Sequence, residues 1–353
     1  MYHNTIIFVL CDSITNSVFS SQCLLLLNNL QKKFSINKII IVSFEKKIVT
    51  TQHIKTIIPH KYIVYIYRSF PFLGRIFLSH SIARLKTILK HYTSYTIIAR
   101  GPLAGYIALR SFTKTTGNNL IIQARGLLAE EYAYTYRHDT KILRQPIHYI
   151  KKYLYNSLEQ YVYNSSKKWH TDIVIEAVSP ALKNHLIAHY GVNPYKICIA
   201  QYDLPNKIND SDRNQWRYTV RNKLAVPETA FVLCYSGSAK SWQCPQDIIR
   251  YAESYITQDP QTYLVIFTHD IEQFHNALAQ STIPQSRYRV LSIPCKKIYT
   301  YLAACDAGIV FRKPHVINWI SRPTKSLEYQ AVDLQIIHNN TVAYLLNKQP
   351  SRL

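Results

Sequence analysis

The stretch Asp306-Ala-Gly-Ile-Val-Phe-Arg-Lys-Pro-His-Val-Ile-Asn-Trp-Ile-Ser-Arg-Pro-Thr-Lys-Ser-Leu-Glu-Tyr329 reads as three pieces in order. Residues 307–311 have the length and apolar character of a buried strand, a polar loop follows, and Pro323 suits the first turn of a helix reaching residue 332. A strand that feeds a helix through a polar loop is one step of an α/β chain. The entry to such a helix exposes unpaired N–H groups and the positive end of the helix dipole, so the backbone from Arg322 through Thr324 to Lys325 can hold a diphosphate. Glu328, about one turn further, can accept hydrogen bonds from ribose hydroxyls. Spacing alone leaves a second reading open, in which Lys325 and Glu328, three apart on a helix, pair only with each other.

The same step recurs through the chain. Strand-like runs stand at residues 5–10, 38–42, 62–66, 95–99, 119–123, 172–175 and 196–199, and again at 231–235, 263–267, 288–292, 307–311 and 334–337, with helical segments between them. Near-continuous apolar strands belong to parallel sheets covered on both faces. A polar segment containing Pro205, Asn206, Asn209, Asp210 and Asp212 interrupts the pattern before it restarts. The expected architecture is α/β, with two Rossmann-like doubly wound domains facing a central cleft. Residues 1–202 form the first, 203–228 an interdomain linker and 229–353 the second. Ligands of such folds sit at the carboxyl ends of the strands, here in the cleft.

Composition narrows the function classes. The chain has 353 residues, enough for two ordinary cores, and is 47% apolar with 18% charged residues. Its apolar runs fall far short of the ~20 residues of a spanning helix, and Tyr2-His3-Asn4 leads straight into a strand rather than a signal sequence. The expected location is cytoplasmic, peripheral at the inner face of the cell membrane. Seven cysteines without a C-x-x-C pair read as buried reduced thiols, and the His185/His189 pair reads as an ordinary helix face, so no metal is expected. The net charge of +22 is uneven: residues 1–200 carry 25 Lys and Arg against 8 Asp and Glu. That half attracts polyanions, either anionic lipid or nucleic acid. No zinc-finger spacing or RNP motif supports nucleic acid, so none is expected as a partner and an anionic membrane surface is.

The segment 141–170 places Leu143, Ile147, Ile150, Leu154, Leu158 and Val162 along one helix face, with lysines and many tyrosines elsewhere. A basic, tyrosine-rich helix can lie on a membrane surface. The stripe is also as wide as a globular helix requires, and this favours a core helix with solvated lysines.

Four ordered motifs carry a resemblance. Arg312, Asn318 and the run from Ser321 to Tyr329 resemble the donor-nucleotide segment of family 4 glycosyltransferases, particularly bacterial capsule and lipopolysaccharide enzymes, whose segment reads roughly R-x-x-S-x-x-N-x-x-x-S-P-x-K-x-x-E-Y. Tyr235-Ser-Gly-Ser-Ala-Lys-Ser-Trp-Gln243 is similar to the loop after the first strand of their nucleotide-binding domain. Ala124-Arg-Gly-Leu-Leu-Ala-Glu-Glu131 is similar to an acceptor-domain loop, and Ser17-Val-Phe-Ser-Ser-Gln22 to the first loop at the cleft.

The resemblance spans about residues 5 to 338 and implies a GT-B glycosyltransferase. Such an enzyme moves a sugar from a nucleotide-sugar donor, with UDP the default, to a polysaccharide or lipid-linked acceptor. Retention of anomeric configuration, no metal and no cofactor are implied too, in keeping with the lack of a D-x-D triplet.

By the same resemblance, Lys240 and Lys325 meet the developing charge of the leaving diphosphate, joined by Arg312 and by backbone amides of Ser236, Gly237, Ser238 and Thr324 beside Pro323. Glu328 orients the ribose, while Ser17, Arg125, Gly126, Glu130 and Glu131 line the acceptor side. Two alternatives stay open: Arg125 and Glu131 as an interdomain ion pair, and Trp242 as a cap on the second core. The chain departs from the family at three points. Ile320 stands where a first glutamate is common, Asp333-Leu-Gln335 replaces Gly-x-Pro, and the sequence stops at Leu353, where relatives continue into a further helix and tail. These departures keep a catalytically silent GT-B scaffold, partnering another transferase, as the alternative function, with a basic nucleic-acid-binding protein as the less favoured one.

Overall fold

A computed structural model describes residues 2–16, 18–50, 54, 57–69, 78–113, 117–137, 139–141, 144–168 and 173–346. The chain divides into two compact units, Met1–Leu204 and Pro205–Leu353, each built on its own parallel sheet. The first sheet holds β1 (Thr5–Leu10), β2 (Lys38–Glu45), β3 (Ile63–Arg68), β4 (Tyr95–Arg100), β5 (Asn118–Ala124), β6 (Ile173–Ala177) and β7 (Ile197–Ile199). Their spatial order is β3-β2-β1-β4-β5-β6-β7, and the register sets Ile7 of β1 beside Ile40 and Ile97.

The helices of this unit are α1 (Leu24–Lys33), α2 (Ser79–Leu89), α3 (Gly101–Ser111), α4 (Leu128–Tyr136), α5 (Gln145–Lys168) and α6 (Pro180–Tyr190). Alternate residues of β1 (Ile6, Phe8, Leu10) pack on Leu26, Leu27 and Leu30 of α1. The residues between them are equally buried, as a sheet covered on both faces requires. A π-helical turn at Phe19–Cys23 leads from the first loop into α1.

The second sheet holds β8 (Val232–Ser236), β9 (Tyr263–Phe267), β10 (Tyr288–Leu291), β11 (Ala307–Val310) and β12 (Gln335–His338), in the order β10-β9-β8-β11-β12. Its helices include α7 (Asp210–Leu224), α8 (Pro245–Gln258), α9 (Ile271–Leu278), α10 (Ile298–Leu302), α11 (Val316–Trp319) and α12 (Thr324–Ala331). Successive residues of β8 part into two cores. Val232 and Cys234 pack with Leu302 and Tyr329, whereas Leu233 and Tyr235 pack with Ile248 and Phe274. In both sheets the winding reverses between the first and fourth strands, and the carboxyl ends at such a switch point are where doubly wound folds bind ligands.

Three expectations need correction. Residues 203–228 are not a linker, since α7 lies there and belongs to the second unit. Asn209 caps it by accepting from Asp212 N at 2.8 Å, and Val220 and Leu224 enter the core. On its inner face the buried Arg221 donates to the carbonyls of Ala304, Pro227, Glu228 and Ala230 and to Asp306 Oδ2 (2.8 Å). Asp306 Oδ2 also accepts from Val232 N, and Arg217 pairs with Oδ1 at 2.9 Å, so two ion pairs to Asp306 fasten α7 to the starts of β8 and β11.

The second correction concerns the helix read at 141–170. Within α5, Leu158 and Val162 are buried as a core stripe demands, but Ile147 and Ile150 are 59% and 53% exposed, beside Tyr149 at 77% and Tyr153 at 66%. Only the second half of the stripe is core, and Leu143 lies outside the described residues. Thirdly, Cys23, Cys234, Cys244 and Cys305 are buried thiols as expected, whereas Cys198 and Cys295 are exposed.

Candidate functional site

Strand β8 ends at Ser236, and the chain turns through Gly237 at φ +149°, a conformation that favours glycine. A Cβ there would stand 2.8 Å from Lys325 Nζ and 2.9 Å from Tyr235 Oη, so glycine also makes room for the lysine. Across the switch point, Arg312 follows β11, and its backbone is clamped by Asn339. The Arg312 N–H donates to Asn339 Oδ1 (3.2 Å), and Asn339 Nδ2 donates to the Arg312 carbonyl (2.8 Å). Lys325 sits in the first turn of α12. Gly308 on β11 lets that helix approach closely, because a Cβ at Gly308 would collide with the ring of Tyr329. The Tyr329 hydroxyl in turn accepts from Ser236 N at 2.9 Å, tying α12 to the end of β8.

These constraints bring two cations together. Arg312 Nη1 and Lys325 Nζ both donate to one acceptor, Gln243 Oε1, at 2.5 and 2.8 Å. Lys325 Nζ also lies 3.8 Å from the centroid of the Tyr235 ring. Arg312 is 9% exposed and Lys325 7%, and among the described residues neither forms an ion pair with a carboxylate. Burying two positive charges on a neutral amide is costly unless an anion completes the site. Burial, then the nearby Arg312 charge, drives the Lys325 ammonium well below the usual lysine range. Glu328 is half-buried on the next turn, and burial outweighs Lys325 in raising its carboxyl above the ordinary value.

The remaining donor-side residues divide. Thr324 opens α12, with Pro323 one place earlier than expected, at the cap position rather than inside the first turn. Proline supplies no side-chain cap to the helix. The amides of Ser236 and Gly237 do not serve a ligand, since Tyr329 Oη and the Phe267 carbonyl already accept from them. The carbonyl of Ser238 accepts from Tyr235 Oη at 2.7 Å. Lys240 stands apart from the buried pair, exposed, with its Nζ 5.0 Å above the half-buried Trp242 ring. Ile320, at the position of the family's first glutamate, is buried.

On the acceptor side, Ser17 lies outside the described residues. Arg125 follows β5 and pairs with the buried Asp203, Nη1 to Oδ2 at 2.5 Å, within its own unit. It therefore does not organise Glu130, which pairs with Lys152 of α5 at 2.9 Å, nor does it pair with Glu131. The Glu131 carboxylate instead lies over Gly126, in the space a Cβ would need. Among the described residues no three His, Cys, Asp or Glu side chains meet in a metal-holding group.

The most connected residue of the donor cluster, Gln243, had no assigned role from sequence, and neither had Gln22 and Arg100 in the first unit. Gln22 Oε1 accepts from Arg100 Nη2 (2.7 Å) and Arg125 Nη2 (3.3 Å). An internal echo was available to find them. Ser20-Ser-Gln22-Cys23 matches Ser241-Trp-Gln243-Cys244, and Ile97-Ile-Ala-Arg100-Gly-Pro102 matches Ile309-Val-Phe-Arg312-Lys-Pro314. The two patterns are short and lie far apart in each half, so they become visible once the strands are aligned.

Neither a protein-family model nor a curated protein sequence matches the chain. Solved structures do. A glycosyltransferase from Rickettsia africae is similar at TM-score 0.65 and 15% identity, covering 98% of this chain and 82% of that one. WaaG, a glycosyltransferase involved in lipopolysaccharide biosynthesis, is similar at TM-score 0.63 and 12% identity, over 96% and 82%. The catalytic domain of Arabidopsis thaliana starch synthase IV, bound to ADP and acarbose, follows at 0.60 and 10%, over 99% and 86%. At such identities the likeness shows the fold, and the fold is GT-B.

Proposed function

We propose that the chain is a glycosyltransferase whose second domain holds a nucleotide-sugar donor and whose first domain holds a polysaccharide or lipid-linked acceptor. The observation that carries this reading is the pair Arg312 and Lys325, buried at the switch point on one glutamine oxygen without a carboxylate partner. A nucleoside diphosphate supplies the missing negative charge. As the bond from the anomeric carbon to the diphosphate breaks, charge grows on the leaving oxygen, and fixed cations in a dry site stabilise that growth. To Glu328, one turn along α12, we assign the ribose hydroxyls, and to the start of that helix the phosphates. The chemistry we assign is metal-independent transfer with retention, by a family 4-like enzyme of capsule or lipopolysaccharide synthesis, with UDP as the first nucleotide to test. The ADP held by the starch synthase supports the general class of ligand.

Calorimetry with UDP, GDP and CMP, followed by transfer and hydrolysis assays on the matching sugar donors, tests the reading. Binding of one nucleotide with turnover is the expected result. Absence of binding at millimolar nucleotide sinks it, and binding without turnover turns the chain into a silent scaffold.

We further propose that the exposed face of α5 rests on an anionic bilayer at the inner side of the cell membrane. Tyr149, Tyr153, Ile147 and Ile150 present amphipathic and apolar groups there, with Lys151 and Lys152 between them on the same helix. No helix among the described residues is long and apolar enough to cross a membrane.

A further inference from the structure

The cation pair of the second unit has a counterpart in the first. Gln22 follows β1 as Gln243 follows β8, each inside an S-x-Q-C run that leads into a helix. Arg100 closes β4 as Arg312 follows β11, each inside an I-x-x-R-x-P run. In both units the glutamine Oε1 accepts from that arginine and from a second cation, Arg125 in one and Lys325 in the other. The second cations do not correspond in sequence, so the shared geometry has been completed in two different ways.

The first cluster has unfilled donors. Arg100 is 6% exposed, yet among the described residues its Nη1 has no hydrogen-bond partner, and neither has Arg125 Nε. Two buried N–H groups left over at one switch point are an exception that calls for a ligand, since nearly all buried donors are satisfied. Beside them, α3 begins with Arg100 itself at the cap position and no side-chain cap. Gly101 holds φ +78°, with nothing among the described residues within 4 Å of where its Cβ would stand. Helix start, two guanidinium groups and open space thus meet at the carboxyl ends of β4 and β5. Of the carboxyl groups nearby among the described residues, Glu131 lies over Gly126 with its pKa pushed by burial up to about 7, and Asp203 is buried against Arg125. Asp12 is exposed at 3.7 Å from Arg100 and can yield its place to a stronger anion.

We propose that Gln22, Arg100 and Arg125 form a second anion site that receives a phosphoryl group of the acceptor. The assignment rests on the donor reading above, because the second-unit cluster is the template. A phosphoryl group fits for the reasons that apply there: planar guanidinium forks match its oxygens, and the helix start adds N–H donors. The enzyme then selects a phosphorylated acceptor, carried either as a sugar phosphate or as a phospholipid headgroup.

Thermal unfolding of the full chain at constant ionic strength separates the claims. Gln243→Glu places a carboxylate between Arg312 and Lys325, and Gln22→Glu does the same between Arg100 and Arg125, each without a change of size. Inorganic phosphate is expected to raise Tm of the Gln243→Glu protein by several degrees, and the double variant is expected to lose that shift. UDP is expected to stabilise wild type and Gln22→Glu but not Gln243→Glu. A phosphate shift that is absent in Gln243→Glu, or that persists in the double variant, overturns the second site while leaving the donor reading standing. A wild-type protein that UDP does not stabilise removes the donor reading and leaves the phosphate result intact. If Gln22→Glu does not fold, the Nε–Hε NMR resonance of Arg125 in Gln243→Glu decides, moving on phosphate addition if the site is real and staying still if it is not. Vesicles with phosphatidylglycerol assign the source: Gln22→Glu weakens their binding if the headgroup is the ligand, and leaves it unchanged if a sugar phosphate is.

Discussion

At the scale of single residues, the molecule places charges where only a partner makes them affordable. Lys325 binds fewer protons in the native chain than in the unfolded one, so its contribution to stability grows as pH rises from its depressed value toward 10.5. A bound diphosphate favours the ammonium. UDP binding should therefore take up a proton, to at most about one per molecule, and tighten as pH falls toward that depressed value. Calorimetry in buffers of different ionisation enthalpy measures the uptake, and Lys325→Met should abolish it. Glu328→Ala should weaken donor binding about tenfold, the loss of one charge-assisted bond, with little change in Tm. A large fall in Tm would assign Glu328 to packing instead. Arg221→Met poses the opposite case, taking the buried donor away from the carbonyls of Ala304, Pro227, Glu228 and Ala230 while Asp306 keeps Arg217, and should cost about 3 kcal/mol in urea unfolding.

At the scale of elements, the strands were the most legible part. Among the described residues the strands stand where runs of Ile, Val, Leu, Phe and Tyr place them, and the central ones, such as β1, β4 and β9, are buried on both faces and so have no polar alternation to confuse the reading. The polar helix α7 was the least legible. It meets the core chiefly through its last turn, and its long polar start reads as loop. Gln243 and Gln22 were hidden for another reason: a neutral side chain reveals nothing about the two cations that the fold will bring to it.

A similar hidden device caps α4. The buried Glu159 of α5 accepts from Leu128 N (2.6 Å) and Ala129 N (3.3 Å), and burial pushes its carboxyl up to about 7 despite those bonds and that of Tyr190. A raised acid keeps its proton in the native state where the unfolded chain has lost it. Stability therefore falls as pH rises from about 4.5 to 7, by up to about 3 kcal/mol. Glu159→Gln should flatten that slope in urea titrations across the window, and an unchanged slope would assign it to other groups.

At the scale of the whole molecule, two sheets of the same winding carry different charge, +17 over residues 1–200 and +5 over the rest. Association with phosphatidylglycerol vesicles should weaken steeply between about 0.05 and 0.5 M salt, as screening shortens the reach of that field. Ile147→Ser with Ile150→Ser should weaken it further while leaving the fold intact, since both side chains are exposed. Equal binding to neutral vesicles would remove the electrostatic part.

The two exposed thiols lend themselves to optical work. Cys198 lies on β7 of the first unit and Cys295 just ahead of α10 in the second, so each unit carries one exposed thiol. A maleimide dye placed at either position would report, by a change in its fluorescence, whether UDP or inorganic phosphate acts on the unit that carries it, without introducing a new cysteine.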